Sequence, residues 1–304
     1  MWQDLPGQIK AGDFKALARC ISLVENEQEG YWPFLKGLDA GEAGIVGVTG
    51  PPGAGKSTMV DALIGEWVNA GKKIAVLCID PSSPFHFGAL LGDRIRMSQW
   101  YNNPNVFIRS LANRGNLGGL NPMIIEIISV LRAADFDHII VETVGIGQSE
   151  VEIAGLADLT VVVLVPEAGD EIQTMKAGMM EIADIFVVNK SDRPDSDHFV
   201  KNLRSMLGHK QTPVIKTVAS EGLGIDELAK YIILALQQDQ PSNSRSGERR
   251  KALFAGKVWH ILQRLAMKRF DQEKIREIVD RQIDLPDFNL YRIADEINNG
   301  SNEG

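Results

Sequence analysis

Short, continuously apolar runs separated by amphipathic stretches occupy the chain from Gly44 to about Gln238. The runs Ile45–Val48, Ile74–Ile79, Val106–Ile108, His138–Val141, Thr160–Val165, Ile185–Val188 and Val214–Thr217 have the length of strands. Most do not alternate apolar with polar, the pattern of strands buried on both faces. Helical periodicities between them predict right-handed βαβ crossovers, and so an α/β fold with a mostly parallel sheet flanked by helices. Ahead of this region, Phe14–Val24 carries Leu17, Ala18, Ile21, Leu23 and Val24 at helical spacing, with Asp13 placed as N-cap. Gly37 to Gly44 reads as a short connection. Behind it, the polar stretch Gln237–Glu248 reads as a linker. Two further helical patterns follow, one through Leu253, Phe254, Val258, Ile261, Leu262 and Leu265, the other through Ile275, Ile278, Val279 and Ile283, stopped by Pro286. The expected organisation is a helical extension over 1–43, an α/β domain over 44–238, and a linker with a helical region over 239–304. Spacing alone leaves open whether the last helices pack on their own domain or on a second subunit.

Composition narrows the class. Hydrophobic residues make up 44% of the 304 and charged residues 24%, an ordinary globular balance. No apolar run approaches the roughly 20 residues that span a bilayer. The first residues, Met1-Trp2-Gln3-Asp4-Leu5, match neither a signal nor a transit peptide, which leads to the expectation of a cytoplasmic protein without a membrane partner. A formal net charge of −8 argues against nucleic acid, whose binding rests on a basic surface. Cys20 and Cys78 sit in apolar periodic segments without a CxxC or Cys/His spacing, and read as reduced core residues.

The chemistry enters at Gly50-Pro51-Pro52-Gly53-Ala54-Gly55-Lys56-Ser57, a complete GxxxxGK[ST] pattern between the strand Ile45–Val48 and a helix through Thr58–Trp67. Glycines let backbone N–H groups converge on phosphate oxygens, and the helix N-terminus favours negative charge. Lys56 is the residue to reach the β- and γ-phosphates, and the Ser57 hydroxyl the one to ligate Mg²⁺. The strand His138–Val141 runs into Glu142-Thr143-Val144-Gly145. A carboxylate at that strand end belongs beside the phosphate loop, where it can hold Mg²⁺ directly or through water, and Gly145 can offer an amide to the γ-phosphate. Val187-Val188-Asn189-Lys190-Ser191-Asp192 contains NKxD. The Asp192 carboxylate can accept from the ring N–H and the exocyclic amine of guanine, which adenine cannot supply, so ATP would leave it unpaired. Val218, Ala219 and Ser220, after the next strand, are placed for a loop amide to meet the guanine carbonyl.

In this order, the motifs resemble one family, the MeaB/ArgK-like GTPases that serve adenosylcobalamin-dependent acyl-CoA mutases. The most specific stretches are Asp80-Pro81-Ser82-Ser83-Pro84, Leu91-Gly92-Asp93-Arg94-Ile95-Arg96-Met97, Arg114-Gly115-Asn116-Leu117-Gly118-Gly119 and Glu142 through Glu150. Glu142 stands where other GTPases usually have Asp; in this family Glu is expected. The resemblance implies that Asp80 and Asp93 approach the Mg²⁺ or the attacking water, that Asp93 and Arg94 lie in a first switch, and that Gln148 to Glu152 lie in a second. It also implies that Glu167–Lys176 forms a further switch that couples nucleotide state to the mutase. His86 and Phe87 stand where relatives carry small residues; an exposed histidine is expected there.

Phosphoryl transfer depends on positioning and charge neutralisation. Ile146, not Gln, follows Gly145, which predicts slow intrinsic turnover that a partner raises by ordering Asp80, Asp93 or Gln148. The implied role is a GTP-dependent chaperone that gates adenosylcobalamin loading of a methylmalonyl-CoA or isobutyryl-CoA type mutase and protects or reactivates it, acting as a homodimer with Mg²⁺ and GTP or GDP. Two alternatives remain: nickel or cobalt delivery, for which the five scattered histidines form no His-rich motif, and a P-loop kinase, which NKxD disfavours.

Overall fold

The computed structural model describes residues 2–39, 41–80, 97–113, 119–143, 149–168, 177–208, 210–238, 244–283 and 288–300. The strands are β1 (Gly44–Thr49), β2 (Ile74–Asp80), β3 (Val106–Ala112), β4 (His138–Glu142), β5 (Leu159–Leu164), β6 (Ile185–Val188) and β7 (Val214–Lys216). They form one seven-stranded sheet in the order β3-β2-β4-β1-β5-β6-β7, with every pairing parallel. The predicted α/β fold is the one observed. β3 runs four residues beyond its apolar start, through Arg109 and Ser110, because the ladder to β2 continues to Asp80↔Ala112.

Alternate residues of the strands serve two cores, as a period of two requires. On one face Ala75, Leu77, Ile79, Ile139 and Val141 pack under the helices α1 (Leu5–Lys10), α2 (Phe14–Glu25), α3 (Tyr31–Lys36) and α5 (Ile124–Arg132). On the other, Val46, Val48, Val76, Val161 and Val187 pack under α4 (Lys56–Asn69) and α9 (Ile225–Gln238). Towards β7, Val162, Leu164, Phe186 and Val188 meet α7 (Ala177–Ile182) and α8 (Ser196–Leu207). The helix α6 (Ser149–Leu156) completes this unit.

The helix α2 shows which force holds these layers. Its N-cap Asp13 accepts the amides of Lys15 and Ala16 through Oδ1, worth about 1 kcal/mol. Leu17, Cys20, Ile21 and Val24, at helical spacing, are buried to within one per cent of completely. Each such apolar side chain contributes about 1.5–3 kcal/mol, so burial outweighs the cap. Phe14 adds ring contacts to Phe107 and Phe136 at 5.5 and 6.0 Å.

Residues 1–250 form one compact unit, so the N-terminal helices belong with the sheet; residues 251–304 form a second. The helix α10 (Ser244–Met267) begins within the polar stretch that patterning assigns to a linker. Arg249 on its early turns makes two 2.7 Å bonds to Asp184, which also accepts the Thr160 amide. The second unit continues with α11 (Gln272–Gln282), capped by Asp271, and α12 (Leu290–Gly300). Among the described residues no helix is long and apolar enough to cross a membrane.

At the start of β4 the His138 ring lies 4.8 Å from the buried Trp67 ring. Burial lowers the His138 pKa below its ordinary 6.5; the Asp137 carboxylate opposes this and Lys72 reinforces it. The folded chain therefore holds this ring neutral to lower pH than the unfolded chain, which takes up a proton as pH drops through 6.5. Stability present above that value is lost as pH falls towards the folded-state pKa, with a slope of up to about 1.4 kcal/mol per pH unit for this one proton. Urea unfolding midpoints compared at about pH 7.5 and about 5.5 should fall more steeply in the wild type than in His138→Phe. Equal slopes would remove His138 from the acid limb.

Candidate nucleotide site

The functional residues converge at the carboxyl end of the sheet, where open parallel sheets bind ligands. β1 ends at Thr49 and the chain turns through Gly50–Gly55 into α4. Gly50 has φ +139°, and a Cβ there would stand 2.1 Å from the Val163 carbonyl oxygen. Gly55 has φ +87°, and a Cβ there would stand 2.4 Å from Asn189 Nδ2. Both positions thus require glycine for conformation and for space. Pro52, Gly53 and Thr58 are exposed, while Ala54 is buried.

Lys56 opens α4 with only 7% of its surface exposed. Its Nζ donates to the carbonyls of Gly50 and Pro51 at 2.8 and 3.0 Å, which folds the ammonium over the loop it belongs to. One residue on, Ser57 Oγ donates to Glu142 Oε1 at 2.7 Å. Glu142 ends β4, paired with Val48 of β1 on one side and Cys78 of β2 on the other. Asp80 ends β2, and both carboxylates are 2% exposed. The next residue after Glu142, Thr143, donates to Thr49 Oγ1 at 2.9 Å, and its amide donates to the Val48 carbonyl. This pair fastens the end of β4 to the foot of the phosphate loop. Thr143 lies inside the stretch Glu142–Gly145, where the motif gives it no role, and no motif contains Thr49; a hydroxyl on each strand end was the available signal. The Ser57 hydroxyl and the Glu142 carboxylate are already within bonding distance, and with Asp80 they are hard oxygen donors of the kind Mg²⁺ takes. The residues present fit that ion.

The base-side residues are joined to the same loop. Asn189, at the end of β6, donates from Nδ2 to the Ala54 carbonyl at 2.9 Å. Its Oδ1 accepts the Thr217 hydroxyl at 3.1 Å and the Ala219 amide at 3.0 Å. Lys190 holds a left-handed φ of +56° and donates from Nζ to the Gly53 carbonyl at 2.8 Å. Asp192 is exposed, and the Ser191 amide donates to the Thr217 carbonyl. Val218 and Ala219 are buried and Ser220 exposed, the turn being closed by a bridge between Val218 and Leu223. Glu167, after β5, forms an ion pair with Arg193 just beyond Asp192. Three loops, after β1, β6 and β7, are therefore tied into one rim. Asp93, Gly145 and Gln148 lie outside the described residues, as do Arg94, His86, Phe87 and Lys176.

With this geometry in place, comparison with known proteins identifies the family. The family model of the methylmalonyl-CoA mutase-associated GTPase MeaB matches residues 17–274. A Pyrococcus abyssi protein assigned to the GTPases is 43% identical, the match covering 98% of this chain and 96% of that protein. The GTPase ArgK of Escherichia coli is 36% identical over 74% of this chain and 73% of its own. The crystal structure of an LAO/AO transport system kinase shares the fold at a TM-score of 0.70, with 24% identity, 98% of this chain and 97% of that one covered. The chain belongs to the MeaB/ArgK family of P-loop GTPases, the methylmalonyl-CoA mutase-associated GTPases.

Proposed function

We propose that this GTPase uses Mg²⁺-bound GTP to gate adenosylcobalamin loading of a cytoplasmic acyl-CoA mutase and to protect the loaded enzyme. The observation that carries the reading is Asn189, one side chain bonded to both the phosphate loop at Ala54 and the base loop at Ala219. Occupancy of the base and phosphate subsites is thereby joined, as a device that signals nucleotide state requires.

In this reading the backbone N–H groups of Gly50 to Thr58, other than Pro51 and Pro52, which carry none, surround the β- and γ-phosphates. Lys56 exchanges the Gly50 and Pro51 carbonyls for phosphate oxygens and offsets the charge that develops as the γ-phosphoryl leaves. Ser57, Glu142, Asp80 and Asp93 would hold the Mg²⁺, which would supply positive charge to neutralise the phosphate oxygens. Gly145 meets the γ-phosphate through its amide, and Gln148 orients the water. Asp192 selects guanine, Lys190 supports the phosphate loop from Gly53, and the turn Val218–Ser220 faces the guanine carbonyl. A homodimer is the second part of the proposal. Phe254, Val258 and Leu262 recur at helical spacing on α10, and with Trp259 they are 40–64% exposed, an apolar stripe suited to a second copy.

The test is hydrolysis of GTP, with ATP as control, before and after adding an adenosylcobalamin-dependent mutase from the same genome. Stimulation of at least about tenfold, a threshold well below the roughly 10³–10⁵-fold by which partners that complete a GTPase site act, should be specific to GTP and to the mutase. Slow hydrolysis that no mutase changes would reject the chaperone role.

A further inference from the structure

A carboxylate on the N-terminal helix α2 reaches the strand end beside Asp80. Arg109 on β3 donates to three acceptors of α2: the Ala18 carbonyl at 3.1 Å, Ser22 Oγ at 2.9 Å and Glu25 Oε2 at 3.3 Å. The other Glu25 oxygen accepts Asn121 Nδ2 at 3.2 Å. That amide also donates to the Ala112 carbonyl at 2.8 Å, while Asn121 Oδ1 accepts the Met123 amide at 2.9 Å. Asn121 is 1% exposed, so bonds left unmade there are costly.

The register explains why Ala112 needs this partner. Ala112 stands opposite Asp80, and the Asn113 amide donates to the Asp80 carbonyl at 3.1 Å. In a parallel ladder successive residues turn their polar groups to opposite sides. With Asn113 bonded to β2, the Ala112 carbonyl faces the open side of β3, the edge strand of the sheet. Asn121 takes that carbonyl, and Glu25 fixes the orientation of Asn121.

We infer that Glu25 is a positioning residue for Asp80: through Asn121 and Arg109 it keeps the end of β3 paired with the backbone that carries the Asp80 carboxylate. The inference rests on the proposed role of Asp80 as a carboxylate on the Mg²⁺ side of the nucleotide. It makes α2 a point from which the phosphate site is set. A ligand that displaced α2 would loosen the Asp80 strand end without touching the nucleotide.

The experiment uses full-length protein and reads the Mg²⁺ concentration that half-maximally slows release of a fluorescent GDP analogue, together with Tm. Asp80→Asn should raise that concentration, and Glu25→Gln should raise it in the same direction by about tenfold, the lower end for residues that orient a metal's ligands. The double variant should show less than the sum of the two effects, because both act on one carboxylate. Glu25→Asp, which keeps the charge but withdraws it by one methylene, carries the same comparison where Glu25→Gln does not fold. A changed Mg²⁺ dependence in Asp80→Asn with wild-type behaviour in Glu25→Gln and Glu25→Asp, whatever their Tm, overturns the inference and leaves Glu25 a structural tether. An unchanged Asp80→Asn overturns the reading of Asp80 and the inference with it.

Discussion

Lys56→Ala should lower the GTP hydrolysis rate by about 10²–10³-fold, the cost of removing one preorganised donor from a developing negative charge. The size of the effect follows from where the ammonium sits. It is nearly buried and held by the Gly50 and Pro51 carbonyls of the loop itself, so once those acceptors are exchanged for phosphate oxygens on binding, little reorganisation is left for the moment of reaction. Lys56→Arg should not restore the rate, since a planar guanidinium does not reproduce a compact ammonium in a loop folded closely around it. Single-turnover hydrolysis at saturating GTP separates this loss from weakened binding. A rate within about threefold of wild type would remove Lys56 from the chemistry.

The second large effect concerns the base. Asp192→Asn should weaken GTP by about 2–4 kcal/mol, the scale of losing hydrogen bonds to a charged acceptor, or roughly 30- to 1,000-fold. The same variant should gain affinity for XTP. Xanthine replaces the exocyclic amine of guanine by a carbonyl, which the asparagine NH₂ can meet while its oxygen still accepts the ring N–H. Competition of GTP, XTP and ATP for a fluorescent GDP analogue checks both halves. A variant that lost GTP and XTP alike would show that Asp192 supports the loop rather than reads the base. Its exposure and the anchoring of its neighbour Ser191 on Thr217 favour reading, because the backbone is already held without the carboxylate.

What the sequence displays depends on whether a signal is local. Gly50–Ser57 and Asn189–Asp192 are contiguous and their residue types are dictated by what they touch, so both can be read directly. The strands of the central sheet are visible as apolar runs because helices cover both faces. β3 is visible only in part, since Arg109 and Ser110 interrupt its run and only the pairing with β2 carries it on to Ala112. The short helices Leu5–Lys10 and Tyr31–Lys36 bury two residues each, too few to establish a period. The start of α10 is polar enough to resemble a linker, and the second unit has a further helix at Leu290–Gly300 beyond the two its periodicity predicts. The contacts of Asn189 with Ala54 and Ala219, and of Glu25 with Arg109 and Asn121, join residues far apart in the chain. No spacing rule announces them.

The place of β1 in the sheet has a consequence for biosynthesis. It lies between β4 and β5, so the strand that ends in the phosphate loop meets its first neighbour only once the ribosome has made residues up to Glu142 and its second only at Leu164. Ordering such distant pairings is slow, and domains emerge from their N-terminal side. Through much of translation Ile45–Thr49 is an apolar strand with two unpaired edges, the kind of segment a chaperone must shield. The central position that fixes the nucleotide loop in the finished protein thus leaves it among the last parts of the early chain to find its place.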